Sequence, residues 1–261
     1  MATSSKSVFL SVIIPSYNEV SNFQRGCLNK LIPFLEKQNY QYEIIFSDDG
    51  STDQTVALLT DFIQDNLKHA KHGNLFLLKN KHGGKVAAVR NGMNKAKGQW
   101  RLFTDFDQST DISEVQKLLD FTNQKYDIIF GSRKIDPLQV KAKWYRRIIG
   151  DSFNILVRLF TGLKIRDTQC GFKLFSQSAS QLFNRLYVYS PDRVHETGAF
   201  TGAFDVELFY LAQKQGLSFK EVQVKWQHFD TTRVNLLKDS LRMFNDILKI
   251  RLADKQGRYQ S

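Results

Sequence analysis

The sequence predicts an α/β fold, with a mostly parallel sheet covered by helices on both faces. Short, nearly continuous apolar runs alternate with helix-like segments through the first half of the 261-residue chain. Such runs are typical of strands that are buried on both faces, as in a parallel sheet. Apolar residues make up 42% of the chain and charged residues 24%, which is a globular composition with enough residues for a large core.

Five apolar runs, each bounded by polar or glycine-containing segments, predict the strands. They lie at Val8–Ile14, Tyr42–Ser47, Asn74–Leu78, Trp100–Thr104 and Asp127–Gly131. The segments between them have helical patterns, at Cys27–Lys37, Asp53–Asn66, Gly84–Lys97 and Ile112–Thr122. In an open parallel sheet, ligands bind beyond the carboxyl ends of the strands. The residues that follow each strand are therefore the candidates for function.

Polar and charged residues follow four of these strands, in the stretches PSYNE (15–19), DDGSTD (48–53), DFDQSTD (105–111) and GSRK (131–134). In an extended segment Asp105 and Asp107 point to the same side, where two carboxylates repel each other unless a cation lies between them. The same residue types suit a solvated turn, so this stretch alone leaves a metal site and a turn as alternatives. For Asp53 the pattern favours a helix start.

Two basic amphipathic segments distinguish the second half of the chain. Residues 141–162 and 235–258 place apolar residues at helical spacing among lysines and arginines. Such a helix either packs its apolar stripe against the core or lies on an anionic membrane surface. We expect residues 1–7 and the polar tail at 253–261 to be flexible.

Charge and cysteine content limit the partners and the compartment. The net charge of +11 favours anionic partners such as phosphates or an acidic membrane face, while dispersed basic residues without an RNA or DNA module argue against nucleic acid. Cys27 and Cys170 form no disulfide framework, which favours a reducing compartment. The N-terminal apolar run is too short for a signal peptide, and no window has the length of a membrane span. We therefore expect a cytoplasmic protein, free or peripheral to a membrane.

The ordered motifs of the chain resemble those of family-2 glycosyltransferases of the GT-A type. The series is SVIIPSYNE, IIFSDDGSTDQT, NKHGGKVAAVRNGMNKAKGQW and FTDFD, followed by GSRK, RDTQCGFKLFS, GAFDVELFYLA and EVQVKWQH. The second group resembles the dolichyl-phosphate β-glucosyltransferases, with dolichol-phosphate mannose synthases as nearest relatives. The resemblance implies one GT-A, Rossmann-like domain over 8–252, with a nucleotide-sugar half at 8–131 and an acceptor half at 132–252.

The resemblance also implies a site for a UDP- or GDP-sugar and for Mg²⁺ or Mn²⁺. Asp107 matches the metal ligand, with Asp105 nearer the ribose and the water molecules of the metal. Mannose synthases carry a metal-binding glutamine two residues after the second aspartate, where this chain has Ser109, so Ser109 is the third candidate metal position. The difference favours glucose and leaves the rest of the metal shell open. Lys85 suits either a phosphate contact or a plain loop before a helix. The positions that match nucleotide-binding residues are Pro15, Tyr17, Glu19, Asp48, Asp49, Lys85 and Asp105.

The acceptor that the resemblance implies is a polyprenyl phosphate, glycosylated with inversion at the sugar. Its phosphate is already ionised near neutral pH, so it needs cations such as Arg133 rather than a strong base. Asp205 and Glu207 match a base that relatives use for hydroxyl acceptors, and a structural role is the alternative. Surface salt bridges are the alternative for Arg146 and Arg147. The acceptor or sugar positions are Arg133, Arg146, Arg147, Asp167, Gln169, Lys173, Asp205 and Glu207.

Three functions are compatible with these residues. The first is transfer of glucose from UDP-glucose to a polyprenyl or dolichyl phosphate at the cytoplasmic face of a membrane. The second is another family-2 transfer, of mannose or N-acetylglucosamine, to a lipid phosphate or a saccharide. The third is non-catalytic binding of a nucleotide sugar, against which the intact pair of Asp105 and Asp107 argues. The sequence leaves the oligomeric state undefined.

Overall fold

A seven-stranded sheet forms the centre of the fold. The computed structural model describes residues 7–136, 140–141, 154–193, 202–227 and 236–260. In chain order the strands of this sheet are β1 (Leu10–Ser16), β2 (Tyr42–Asp48), β3 (Gly73–Lys79), β4 (Trp100–Thr104), β5 (Ile128–Ser132), β7 (Phe172–Ser176) and β8 (Phe219–Gln223). Two further short strands, β6 (Val140–Lys141) and β9 (Trp226–Gln227), pair with each other in parallel.

The strand order across the large sheet is β3-β2-β1-β4-β7-β5-β8. All pairs are parallel except those of β7, which runs antiparallel to both of its neighbours, β4 and β5. The mostly parallel sheet that the sequence predicts is therefore confirmed. The inserted antiparallel strand has a functional consequence, because β7 begins beside the residue at which β4 ends, with Phe172 opposite Thr104.

Helices cover both faces of the sheet, as predicted. Alternate residues of β1 and β4 enter different clusters, so that Ile13 and Phe103 pack with Val89, while Val12 packs with Leu31 on the other face. The helices are α1 (Val20–Gln24), α2 (Leu31–Leu35), α3 (Thr55–Leu67), α4 (Gly84–Lys95), α5 (Val115–Leu119), α6 (154–161), α7 (Phe204–Lys214) and α8 (Leu236–Lys255). Short 3₁₀ helices lie at Ile112–Glu114 and Ala179–Asn184.

The helix predicted at Cys27–Lys37 is shorter in the structure, where α2 spans only Leu31–Leu35 and α1 lies before the predicted segment, at Val20–Gln24. Gly26 adopts a φ of +75°, a left-handed conformation typical of a residue that ends a helix. Pro33 is tolerated only in the first turn of a helix, since it has no backbone N–H, and this places the start of α2 at Leu31. Backbone constraints thus end α1 before the predicted segment and delay the start of α2 within it.

The C-terminal residues differ from the flexible tail that we expected at 253–261. Helix α8 continues to Lys255, and Tyr259 is buried, with its hydroxyl donating a hydrogen bond to Glu207 at 2.6 Å. Of the other amphipathic segment, residues 142–153 lie outside the described ranges, as do residues 1–6 and 261. None of the helices in the described ranges combines the length and the apolar character that crossing a membrane requires.

Candidate functional site

The loops that follow β1 and β2 are joined at the carboxyl edge of the sheet. The parallel register places Ser16 opposite Asp48, and the pairing continues one residue further because the Asp49 N–H donates to the Ser16 carbonyl at 2.8 Å. Asn18 Oδ1 then accepts a hydrogen bond from the Thr52 N–H at 2.9 Å. These contacts bring the PSYNE and DDGSTD stretches together, as the strand-end argument predicts.

The Asp48 carboxylate closes the turn that follows β2. It accepts hydrogen bonds from the Gly50 N–H at 3.1 Å and from the Ser51 N–H at 2.9 Å, and Ser51 and Ser16 add hydroxyl donors. Gly50 has a φ of +74°, which glycine adopts without the steric cost that other residues incur. The contacts of Asp48 are thus those of a residue that shapes the loop. Asp53 also supports the backbone, since its carboxylate accepts from the Thr55 N–H at 2.9 Å, in keeping with a helix start.

Asp49 belongs to a different cluster, with His82 and Tyr17. Its Oδ1 atom accepts a hydrogen bond from the Gly83 N–H, and its Oδ2 atom lies 2.9 Å from His82 Nδ1. The imidazole in turn stacks on the Tyr17 ring, with centroids 4.5 Å apart and planes inclined by 19°. Burial raises the pKa of the Asp49 carboxyl, and the loop amides and His82 oppose that effect. Sequence reasoning missed His82, although the HGGK motif contains it.

Pro15 and Glu19 lie on either side of Tyr17 in the chain, and both are held by their own contacts. Pro15 is a buried residue of β1, paired with Ser47. Glu19 is buried at the start of α1, where its backbone N–H donates to Thr55 Oγ1 at 2.7 Å and its carboxylate accepts from Asn22. Both residues thus lie close to Tyr17 in the chain, and their contact with a nucleotide stays a prediction.

Asp105 and Asp107 follow β4 and have different partners. The Lys85 ammonium lies 2.5 Å from Asp105 Oδ1, so a cation of the chain already neutralises this carboxylate. The donors to the Asp107 carboxylate that the described residues supply both belong to Ser109, whose N–H lies 2.9 Å from Oδ1 and whose hydroxyl also supports the carboxylate. Burial raises the pKa of Asp107, and the neighbouring Asp105 raises it further. Ser109 and Lys85 oppose this shift without reversing it, and no described residue forms an ion pair with Asp107 as Lys85 does with Asp105.

The antiparallel strand β7 fixes the position of Asp105. The Asp105 N–H donates to the Gly171 carbonyl at 3.1 Å. A Cβ atom on Gly171 would lie 1.9 Å from Asp105 Oδ2, so a larger residue there would displace the carboxylate. Gly171 lies within the RDTQCGFK motif, but the sequence gives no sign that it faces Asp105.

Arg133 and Asp167 form a two-pronged ion pair beside the acidic pair. Arg133 Nε and Nη2 donate to the two carboxylate oxygens at 2.7 and 2.9 Å, and the Arg133 guanidinium lies over the Trp226 ring. Burial alone would raise the pKa of Asp167, but Arg133 outweighs it and lowers that pKa to about 2. The Asp105 charge also contributes to the raised pKa of Arg133, which indicates that the pair lies near the acidic site.

Lys173 and Asp205 form a second buried ion pair. Lys173 is fully buried in β7, with Nζ 2.6 Å from Asp205 Oδ1 and the rings of Phe103 and Phe209 nearby. Asp205 lies in the first turn of α7, where the helix dipole favours a carboxylate. Burial raises the pKa of Asp205, and Lys173 and then Lys85 oppose the shift. Lys85 is thus close to both Asp105 and Asp205.

The remaining predicted acceptor residues have other surroundings. The Glu207 carboxylate is fully buried and accepts hydrogen bonds from three consecutive backbone N–H groups, at residues 187–189, as well as from the Tyr259 hydroxyl. These contacts support the structural alternative for Glu207. Gln169 Nε2 is buried and has no hydrogen-bond partner among the residues that the structure describes. Arg146 and Arg147 lie outside the described residues.

The acidic pair has the chemistry that a divalent cation requires. No group of three or more His, Cys, Asp or Glu side chains within the described ranges is arranged to hold a metal by itself. Mg²⁺ and similar ions, however, are commonly held by one or two carboxylates together with substrate phosphates and water. Asp107, whose carboxylate forms no ion pair with any described residue, fits such a ligand, and Asp105 lies beside it. Ser109 supports the Asp107 carboxylate through hydrogen bonds.

Comparison with models of protein families shows the family of this chain. The family model described as "Glycosyl transferase family 2" matches residues 11–183. The chain belongs to this family. It is therefore a glycosyltransferase with the α/β fold that the family resemblance implies.

Curated relatives extend the similarity over nearly the whole chain. The dolichyl-phosphate beta-glucosyltransferase of Dictyostelium discoideum is 34% identical, over 94% of this chain and 74% of the relative. The Saccharomyces cerevisiae protein of the same name is 32% identical, over 97% of this chain and 77% of the relative. The resemblance to dolichyl-phosphate β-glucosyltransferases that the motifs predict is thereby confirmed.

Solved structures share the fold at much lower identity. A glucosyl-3-phosphoglycerate synthase from Mycobacterium tuberculosis, in complex with UDP, superposes with a TM-score of 0.61 at 15% identity and covers 97% of this chain and 80% of its own. A mannosyltransferase from Pyrobaculum calidifontis, in complex with GDP-Man and Mn²⁺, gives a TM-score of 0.57 at 14% identity, over 94% of this chain and 65% of its own. Both are glycosyl-transferring enzymes with this α/β architecture.

Proposed function

We propose that this glycosyltransferase transfers glucose from UDP-glucose to dolichyl or another polyprenyl phosphate, at the cytoplasmic face of a membrane. The observation that carries the proposal is the acidic pair at the end of β4, in a chain that is 34% and 32% identical to two dolichyl-phosphate beta-glucosyltransferases. The free thiols of Cys27 and Cys170 fit a reducing compartment.

The donor nucleotide is proposed to lie across the carboxyl ends of β1, β2 and β4. Its nucleoside would contact the cluster of Tyr17, His82 and Asp49, and its diphosphate would lie toward Lys85 and Asp107. The 80–84 loop and the adjoining Lys85 support this assignment because they connect the two parts of the proposed site. His82 lies beside Asp49 in the nucleoside part, and Lys85 lies beside Asp105 in the diphosphate part. The UDP complex of the mycobacterial fold neighbour is in keeping with it.

Asp107, assisted by Asp105, is proposed to hold Mg²⁺ or Mn²⁺ when the donor is bound. A cation at this position would neutralise charge on the departing diphosphate as a Lewis acid. The Lys85 ammonium adds a fixed positive charge on the same side, at 2.5 Å from Asp105. Arg25 holds the loop in place by donating to the Asp107 carbonyl at 3.3 Å.

The acceptor phosphate is proposed to bind beside Arg133. Asp167 fixes the guanidinium through Nε and Nη2, and no residue in the described ranges hydrogen-bonds its Nη1. That nitrogen can donate to a phosphate oxygen while the ion pair stays intact. Because the phosphate is ionised already, the site needs no strong base. Asp205, neutralised by Lys173, is suited to orienting the sugar.

An apolar surface formed by α6 and α8 is proposed to meet the membrane. Phe160 of α6 contacts Phe244 of α8, with ring centroids 5.4 Å apart, so the two helices are neighbours. We call this surface the α6–α8 face, and its exposed apolar residues are Ile155, Leu159, Phe160, Leu241, Leu248 and Leu252. Exposed Arg158, Arg242 and Lys249 accompany them. Apolar side chains flanked by cations suit an interface with anionic lipid.

A donor panel tests the proposed reaction. The purified chain is incubated with Mg²⁺, a short polyprenyl phosphate and, separately, UDP-glucose, UDP-N-acetylglucosamine and GDP-mannose, and the products are identified by mass. We expect the acceptor to gain one hexose from UDP-glucose alone. Transfer only from GDP-mannose or UDP-N-acetylglucosamine would establish another sugar specificity. The absence of transfer from every donor, with nucleotide still bound, would favour a non-catalytic binder.

A further inference from the structure

His82 lies in the loop between β3 and α4, and we propose that its Nε2 atom reads the nucleobase of the donor by accepting a hydrogen bond from a uracil imide N–H. The inference rests on the proposed donor site and goes beyond it by naming a residue that sets base specificity. In this inference the Asp49 carboxylate has the role of positioning His82.

The hydrogen bonds of the imidazole define which nitrogen carries the proton. His82 Nδ1 lies 2.9 Å from Asp49 Oδ2 and 3.1 Å from the Asp49 carbonyl oxygen. Both partners are acceptors, so Nδ1 bears the hydrogen. In the neutral ring Nε2 is then an acceptor, since each ring nitrogen takes the opposite role. No hydrogen bond to Nε2 comes from any residue that the structure describes.

The position of the ring is fixed on several sides. Its face lies against Tyr17, and its loop is tied to β2 because the Asn80 N–H donates to the Asp48 carbonyl at 2.9 Å. The loop also packs closely on Gly50, because a Cβ atom added to Gly50 would lie 2.9 Å from the backbone nitrogen of His82. The His82 side chain nevertheless stays 27% exposed, so a ligand can reach part of the ring.

The charge of Asp49 favours contact of His82 with the nucleobase of the donor rather than with its diphosphate. Both Asp49 oxygens have partners, the Gly83 N–H and His82, and the ionised carboxylate places a negative charge 2.9 Å from His82 Nδ1. A phosphate at His82 would face that charge, whereas an uncharged heterocycle would not. The Tyr17 ring beside His82 adds an aromatic surface suited to a planar base. The diphosphate fits the other end of the loop, at Lys85.

Two substitutions separate the nitrogens of His82. The side-chain amide of asparagine overlays Nδ1, so His82→Asn keeps the donor to Asp49 and lacks Nε2. Glutamine reaches the Nε2 position, so His82→Gln keeps an acceptor there. Affinity is measured by calorimetry for UDP and for N3-methyl-UDP, which has no imide hydrogen. Circular dichroism checks that each variant is folded.

We expect wild type to bind UDP about tenfold more tightly than N3-methyl-UDP, as the loss of one hydrogen bond predicts. His82→Asn should bind both nucleotides with the same, weaker affinity, and His82→Gln should recover part of the preference for UDP. If His82→Asn does not fold, His82→Phe, which keeps a ring against Tyr17, should likewise show no preference.

Two results would overturn the inference while leaving the donor site intact. One is unchanged UDP binding in the folded variants, and the other is an equal loss for both nucleotides, which would mark His82 as a structural residue. Failure of wild type to bind UDP at all would instead overturn the proposed donor, and the role of His82 with it.

Discussion

At the scale of single residues, Asp107 combines a cost in stability with the proposed cation site. Burial and the Asp105 charge raise its pKa, so the ionised carboxylate disfavours the folded state at neutral pH. We predict that Asp107→Asn unfolds at the same temperature as wild type or higher, in EDTA. Transfer should fall by at least about 100-fold, because charge neutralisation by a metal is worth several kcal/mol.

Thermal unfolding and initial rates check both parts of this prediction. Asp61→Asn is the matched control, since Asp61 is an exposed acid on α3, and it should change neither quantity. A clear drop in the unfolding temperature of Asp107→Asn, or a wild-type rate, would contradict the account.

The ion pair of Asp167 and Arg133 makes a prediction about pH. Asp167 has a pKa of about 2 in the folded chain, below the ordinary value of about 3.9. The stabilisation is therefore fully present above pH 4 and is lost as the pH falls from about 4 towards 2. Asp167→Asn leaves the half-buried Arg133 guanidinium without its carboxylate partner, and we expect it to lower the free energy of unfolding by about 3 kcal/mol at pH 7.

Urea unfolding of wild type and Asp167→Asn at pH 7, 5 and 3 measures the effect. The difference between the two proteins should be equal at pH 7 and 5 and smaller at pH 3. A difference that stays constant over this range, or that grows in acid, would show that the pair does not stabilise the fold in this way. Asp65→Asn, on the exposed face of α3, serves as the control.

At the scale of elements, the strands that the sequence predicts are those defined by local patterns. The five predicted strands match β1 to β5 within a few residues, because their apolar runs are continuous. Strand β7 was missed because Lys173 interrupts its apolar pattern. That lysine is buried only because Asp205 of α7, distant in sequence, neutralises it. Pairings of this kind depend on tertiary contacts that the local sequence does not contain.

The candidate site divides in the same way. The rule that ligands bind beyond the carboxyl ends of parallel strands selects Tyr17, Asp49, Asp105 and Arg133. The structure has all four at the carboxyl edge of the sheet. The rule does not distinguish a carboxylate whose oxygens accept the hydrogen bonds of a turn, such as Asp48, from one that can still bind a ligand, such as Asp107. That distinction depends on which backbone N–H groups point at each oxygen, and it is decided by loop geometry.

The contact of β7 with the loop after β4 can be tested at Gly171. In Gly171→Ala the new methyl group would meet the Asp105 carboxylate at 1.9 Å. We predict a loss of about 1–3 kcal/mol in stability, as for other overpacked sites. Transfer should fall more than tenfold, because Asp105 must move away from Lys85. Equilibrium unfolding and initial rates give the two values.

Gly216→Ala is the matched control for this substitution. Gly216 has a positive φ, and its added Cβ would meet nothing within 4 Å. This variant should lose about 1–2 kcal/mol through backbone strain and keep its activity. Full activity in Gly171→Ala would mean that Asp105 tolerates displacement and is not held for catalysis.

At the scale of the whole molecule, the exposed α6–α8 face predicts membrane binding. Leu159 is 74% exposed and Leu241 is 68% exposed, so serine at these positions and at Leu248 should leave the fold unchanged. We expect the triple variant to bind anionic vesicles at least tenfold more weakly, because each buried leucine contributes about 1.5–3 kcal/mol.

Co-sedimentation with vesicles of neutral or acidic lipid measures this binding. Wild type should prefer acidic vesicles, since each nearby Lys or Arg contributes about 1 kcal/mol at an anionic surface. Leu67→Ser, at an exposed leucine on α3, is the control and should bind as wild type does. Undiminished binding of the triple variant would exclude the α6–α8 face as the membrane contact.

The central claim is that the acids after β4 hold a divalent cation together with the nucleotide of the donor. Electron paramagnetic resonance of Mn²⁺, titrated into the protein with and without UDP, tests it most directly. The account predicts that UDP strengthens Mn²⁺ binding to wild type and that Asp107→Asn abolishes this gain, while Asp61→Asn retains it. Mn²⁺ binding in the presence of UDP that is the same in Asp107→Asn and in wild type would contradict the account.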